Sequence, residues 1–144
     1  MDQVWQLLET KGHNVYTIGP DETVFQALQR MADKDIGALV VLDGNAVVGI
    51  FSERDYARKV VLHGKTSADT PIRQVMSSRV LYLRPDQSLA DCMALMTDKH
   101  IRHLPVLDGD TLIGLISIGD VVKALISQQD FIITQLENYI TSSR

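Results

Sequence analysis

An internal repeat constrains this chain more tightly than its composition does. Residues 14–61 align with residues 79–126 at a constant offset of 65, without a gap. Fifteen of the 48 aligned positions are identical, among them Pro20/Pro85, Asp21/Asp86, Gly44/Gly109, Gly49/Gly114, Ser52/Ser117 and Asp55/Asp120. Average composition would give roughly three coincidences by chance. A unit of this size buries too little apolar surface to be comfortably stable alone, so two copies are expected to pack together.

Each copy reads as strand, helix, strand, strand, helix. Val15-Tyr16-Thr17-Ile18 and Val80-Leu81-Tyr82-Leu83 are short apolar segments closed by Pro20 and Pro85, as strands end before a turn. Asp21-Glu22-Thr23 and Asp86-Gln87-Ser88 suit a helix start. Behind them Val24, Ala27, Leu28 and Met31, and then Leu89, Cys92, Met93 and Met96, recur at helical spacing. Leu39–Leu42 predicts a buried strand, Asp43-Gly44 a hairpin, and Ala46–Phe51 the return strand. Helices are predicted from about Glu53 to Leu62 and from Ile118 to Ile126. The fold class is therefore α/β (α+β): two βαββα repeats about a pseudo-twofold axis, sharing a core and enclosing a cleft. The expected organisation is a first repeat at 1–64 that includes an N-terminal helix at Val4–Leu8, a linker at 65–78, a second repeat at 79–127, and a C-terminal helix at 128–144.

Bulk properties exclude several function classes. A net charge of −4 argues against nucleic-acid binding, which usually shows a basic face. No apolar run approaches the roughly 18 residues of a membrane helix. The N-terminus lacks a signal-peptide pattern, and the single Cys92 fits a reducing, cytoplasmic setting. The spacing of Gly44 and Gly49, and of Gly109 and Gly114, mimics a P-loop, but no Lys-Ser/Thr follows and both pairs lie in hairpins. A G-x-G-x-x-G fingerprint is absent, which disfavours hydride transfer on a dinucleotide fold. His100 and His103 are separated by a strand start and make a poor metal pair. Cys92 aligns with Ala27 on a core-facing helix position and reads as a buried structural thiol.

The runs Ile36–Ala57 (IGALVVLDGNAVVGIFSERDYA) and Ile101–Val122 (IRHLPVLDGDTLIGLISIGDVV), with the linker phrase Asp69-Thr70-Pro71 through Val75-Met76, carry a family resemblance. The chain resembles a tandem pair of CBS (cystathionine-beta-synthase) domains, a Bateman module, over residues 1 to about 127. The resemblance implies a regulatory module that binds an adenine nucleotide between the repeats, with AMP, ADP, ATP, S-adenosylmethionine or NAD as ligands of different members. It implies no required cofactor, no catalysis, and association into a homodimeric disc of four repeats. With no catalytic domain fused here, the output is expected to reach a regulated protein in trans.

Ser52…Asp55 and Ser117…Asp120 are predicted capping boxes, each opening a helix at a strand end. A carboxylate in that first turn can also accept hydrogen bonds from ribose hydroxyls, and the resemblance carries this role to Ser52, Asp55, Ser117 and Asp120. The copies differ where Arg102-His103-Leu104-Pro105 replaces Gly37-Ala38-Leu39-Val40. Arg102 offers a fork for phosphate, His103 can exchange a proton near neutral pH, and Gly37 and Ala38 leave room for a base or ribose. Arg54 is a second phosphate candidate, and Gly119 permits close backbone approach. The resemblance adds Pro105, and Thr17 and Ile18 as walls of the adenine pocket. Two unequal sites are expected, with one ligand's phosphates touched by the other repeat.

The tail places Phe131, Ile132, Gln135, Leu136, Tyr139 and Ile140 mostly on one helical face. It either folds back on its own subunit or makes a dimer contact. Two alternatives stand beside the nucleotide sensor. One is a scaffold dimer with empty clefts, against which the paired Asp residues and Arg102 argue. The other is an NAD-using enzyme, disfavoured because His103 alone offers acid–base chemistry.

Overall fold

The computed structural model describes residues 2–142; Met1 and residues 143–144, which the repeat and tail assignments include, lie outside the described residues. The first unit holds strand β1 (Thr17–Ile18), helix α2 (Val24–Lys34), strands β2 (Ala38–Asp43) and β3 (Ala46–Ser52), and helix α3 (Glu53–Asp55), which continues as a π-helical turn over Tyr56–Val61. Helix α1 (Val4–Lys11) precedes it. The second unit holds α4 (Leu89–Lys99), β4 (His103–Asp108), β5 (Thr111–Ser117) and α5 (Ile118–Ser142). β1 runs parallel to β2, and β2–β3 and β4–β5 are antiparallel hairpins. In the second unit the counterpart of β1 shrinks to one parallel bridge, Leu83 to Val106, at the positions equivalent to Ile18 and Val41.

Local chemistry explains the elements. Thr23 and Gln26 cap α2 reciprocally, at 3.2 Å and 2.8 Å, and the Ser88 hydroxyl accepts the Asp91 N–H at the start of α4. Each such cap contributes about 1 kcal/mol. Both helices end on a residue in the left-handed region, Asp35 (φ 53°) and His100 (φ 54°), one repeat apart. Gly44 and Gly109 turn the two hairpins at φ near +60°, the conformation that Asp-Gly predicts. Both hairpins slip register at the same place, between Val41 and Leu42 and between Val106 and Leu107.

The units keep separate cores rather than sharing one. Ile18, Val24, Ala27, Met31, Leu39, Val41 and Phe51 pack in the first; their equivalents Leu83, Leu89, Cys92, Met96, Leu104, Val106 and Ile116 pack in the second. Each core is completed by a short segment outside the repeat. The linker supplies Ile72 and Val75 to the first unit. Helix α1 supplies Val4, Leu7 and Leu8 to the second. The N-terminal helix therefore belongs with the second repeat, not with the first as its position in the chain implied. The two segments dock alike: Val24 N–H donates to Thr70 O at 2.9 Å, and Leu89 N–H to Asp2 O at 2.8 Å.

Two glycines admit these segments. A methyl group on Gly114 would lie 2.5 Å from Leu8 Cδ2, and one on Gly49 2.6 Å from Met76 Sδ and 3.0 Å from the Ser77 carbonyl. The C-terminal region also differs from expectation, because α5 runs unbroken from Ile118 to Ser142 instead of ending near Ile126. The Gly114→Ala and Gly49→Ala variants are each expected to lose about 1–3 kcal/mol by overpacking, read as a fall of several degrees in thermal midpoint.

Candidate functional site

The end of β3 delivers Ser52 into the groove between the units, and the turn into α3 delivers Asp55. Their capping box is formed: Asp55 N–H donates to Ser52 Oγ at 3.2 Å, and Ser52 N–H and hydroxyl donate to Asp55 Oδ2 at 2.9 Å and 3.0 Å. The other oxygen, Oδ1, accepts from the Ser77 hydroxyl at 3.1 Å and pairs with Lys59 at 3.2 Å. The π-helical turn that replaces the expected regular helix after Asp55 carries Lys59, and such wide turns often occur at functional sites.

Asp55 opens onto a cleft of about 510 Å³. Its first-unit wall includes Gly37, Ser52, Glu53, Arg54 and Arg58; its second-unit wall includes Arg79, Val80, Leu81, His100, Arg102 and His103. Four guanidinium groups and two imidazoles thus face two carboxylates. This is a local basic cleft on a chain of net charge −4, and cations in a confined groove favour a phosphate-bearing ligand. Burial pushes the His103 imidazole below its ordinary pKa; Lys11 and Arg102 push the same way, against Asp120 and Asp55.

The equivalent carboxylate, Asp120, has the same box, with Ser117 N–H donating at 2.8 Å and Asp120 N–H donating to Ser117 Oγ at 3.1 Å. Its partner is Lys11 from α1, 2.5 Å away, whose ammonium also reaches the Leu115 carbonyl. Burial raises the Asp120 pKa, yet hydrogen bonds from Lys11 and Ser117 outweigh it and hold the carboxyl below its ordinary value.

Of the sequence-predicted residues, Gly37, Ser52, Arg54, Asp55, Arg102 and His103 meet in the one cleft. Ser117, Gly119 and Asp120 lie together at the start of α5. Thr17, Ile18, Ala38 and Pro105 do not line the cleft. Ile18 is 2% exposed in the first core, paired with Val41. Ala38 is buried beside Ser52 in the hairpin. The Thr17 carbonyl accepts Arg30, and the buried Pro105 carbonyl accepts Leu83 N–H at 2.9 Å. The wall beside Asp55 comes instead from the other repeat, as Val80 and Leu81 of the extended segment before the Leu83 bridge. Lys11, Lys59, Arg58, Ser77 and Arg79 were missed. Only Arg79 and Ser77, next to the aligned strand, left a signal that the repeat pattern could have used. Among the described residues, no cluster of three or more His, Cys, Asp or Glu is placed to hold a metal ion, and no helix is long and apolar enough to cross a membrane. Burial lifts the Cys92 thiol to about 11, which fits a core thiol and not a nucleophile.

The CBS domain model matches residues 10–62 and 72–127. The chain belongs to the CBS-domain family and is a tandem pair, a class that generally serves as a regulatory or sensor module. It is 37% identical over 125 residues to the CBS domain-containing protein CBSX3, mitochondrial, of Arabidopsis thaliana, covering 83% of this chain and 61% of that protein. This chain therefore spans less than two thirds of that relative. A solved protein with CBS domains from Burkholderia ambifaria is 50% identical, with a TM-score of 0.85 over 88% of this chain and 96% of that one. The hexameric CBS-CP12 protein of bloom-forming cyanobacteria is 27% identical, with a TM-score of 0.74 over 83% of this chain and 69% of that one.

Lys11→Met removes the ammonium that holds Asp120 ionised. Carbon-detected NMR titration is expected to show the Asp120 carboxyl protonating at higher pH in the variant. A group with a lowered folded pKa contributes its stability above the unfolded value and loses it as pH falls through the folded one. Acid unfolding of the Lys11→Met protein should therefore begin at higher pH than in wild type.

Proposed function

We propose that the cleft binds an adenosine-containing nucleotide (AMP, with ADP, ATP or NAD as larger candidates) and that occupancy changes the relation of the two units to signal to a regulated protein. The observation that carries the reading is the convergence of one strand-end carboxylate, Asp55, and four arginines from both units on a single 510 Å³ space. That volume lies within the range of small-molecule sites, about 300–1,000 Å³. Asp55 Oδ1, held now by Ser77 and Lys59, is an acceptor for ribose hydroxyls. Arg54, Arg58, Arg79 and Arg102 are the candidate phosphate donors, and Val80 and Leu81 offer an apolar wall for the base. In this reading the chain transfers no group. Its output is a coupling free energy between ligand occupancy and conformation. The ion pair of Lys11 with Asp120 distinguishes the second position, so the two sites are unequal.

A thermal-shift panel of AMP, ADP, ATP, NAD and S-adenosylmethionine tests this. At a hundred times the dissociation constant, a ligand specific for the folded state adds about 2.7 kcal/mol. At least one nucleotide is expected to raise the midpoint by several degrees, and Asp55→Ala and Arg102→Ala to abolish most of that rise. A flat response to all five ligands contradicts the proposal.

A pH dependence also follows. Burial holds the free His103 imidazole below its ordinary pKa, and a phosphate opposite it favours the imidazolium, so binding takes up a proton and affinity gains as the pH falls toward the pKa of the bound imidazole. Calorimetry in buffers of different ionisation enthalpy should show this uptake, and His103→Asn should remove it.

A further inference from the structure

Building on the reading of Asp55 as a ribose acceptor, we infer that Lys11 is a tethered plug of the twin position. Its ammonium fills the approach to Asp120, so the chain binds one nucleotide, at Asp55, and a second only once Lys11 lets go.

The repeat shows what Lys11 has replaced. The two segments that complete the cores are aligned by the way they dock. Thr70 matches Asp2 as the acceptor of a helix-start N–H, and Met76 matches Leu8 as the side chain over a glycine. Three residues beyond Met76 and Leu8 stand Arg79 and Lys11. Arg79 lies on the wall of the cleft onto which Asp55 opens. Lys11 instead crosses to the carboxylate, and Nζ donates to Asp120 Oδ2 and to the Leu115 carbonyl, each at 2.5 Å. In the first unit the carbonyl equivalent to that of Leu115 belongs to Ile50, and it accepts the Ser77 backbone N–H at 2.8 Å. A side-chain cation has thus taken an acceptor that a backbone bridge uses in the other unit. The wall residue of one unit has become the occupant of the other.

The segment around Lys11 is held in this place from both sides. Leu8 packs over Gly114, and His13 Nδ1 lies 3.0 Å from the Ile113 carbonyl, so the end of α1 is laid along β5. Leu81, which matches His13, lines the open cleft instead. Lys59 does not plug Asp55 in the same way. It belongs to the same helical turn, four residues along at 3.2 Å, and Asp55 remains on the cleft wall. A ligand at Asp120 has to break hydrogen bonds from a charged donor, each worth about tenfold or more in affinity.

Calorimetric titration of the full chain with AMP counts the sites. Wild type is expected to bind one AMP per chain and Lys11→Met two. Asp55→Ala should bind none, Asp55→Ala with Lys11→Met one again, and the further change Asp120→Ala should remove it. Val4, Leu7 and Leu8 still fill the second core in Lys11→Met, and Lys11→Gln serves as a second variant of the same kind. Amide NMR of the wild-type chain needs no substitution: AMP should shift the signals of Ser52–Asp55 and leave those of Ser117–Asp120 in place. Two AMP per wild-type chain, equal shifts at both boxes, or no recovery in Asp55→Ala with Lys11→Met while wild type binds would overturn the plug and leave the Asp55 site standing. Fewer AMP on Lys11→Met than on wild type would make Lys11 a ligand contact and overturn it likewise. No binding by any of these chains would contradict the ribose reading of Asp55 itself, and the plug with it.

Discussion

The contact of Leu8 on Gly114, with its mirror of Met76 on Gly49, is the constraint on which the rest of the molecule depends. Each hairpin leaves a hole the size of a side chain, and a segment from outside the repeat fills it. Those segments are α1 and the linker, so neither unit has a complete core from its own 48 residues. Closing both holes ties the N-terminus to the second unit and the linker to the first. The relative position of the units, and hence the width of the cleft between Asp55 and Arg102, follows from that interleaving. A small side chain is required at 49 and 114 because of what must approach them, and turn geometry plays no part there: neither has a positive φ.

The same residues serve the fold and the site. Each Ser-x-x-Asp box satisfies the free N–H groups at a helix start and thereby fixes its carboxylate, which for Asp55 lies on the wall of the cleft. Duplication alone would produce two equal sites. The inequality comes from the cations: Lys59 lies one turn along from Asp55, whereas Lys11 reaches Asp120 from α1, the helix that completes the second core. The second position is thus coupled to a packing element, and the first is coupled to a local turn beside an open cleft.

Much of this was legible from the chain. The offset of 65 made every strand and helix of one unit a check on the other, and Asp-Gly located both hairpins. Ser52, Asp55, Arg102 and His103 could be brought to one place because the alignment set them at strand ends facing the axis. Contacts that ignore the repeat were not legible. Lys11 meets Asp120 across 109 positions, and nothing in Lys11-Gly12-His13 signals a partner. Ile18 was read as a pocket wall, but its side of the strand faces the core, and the wall comes from Val80 and Leu81 of the other repeat. The break placed near residue 127 failed for a local reason: no Gly or Pro lies between Asp120 and Ser142, so nothing stops the helix.

The central claim is that the interleaved units hold Asp55 where it reads a ribose while arginines of both units hold the phosphate. Calorimetric titration of the wild-type chain with AMP and with 2′,3′-dideoxyadenosine monophosphate isolates that contact. Two charge-assisted hydrogen bonds at about 1.5–3 kcal/mol each imply that the dideoxy compound binds at least tenfold more weakly, with the difference lost in Asp55→Ala. Equal affinity of the two nucleotides for the wild-type protein would contradict it.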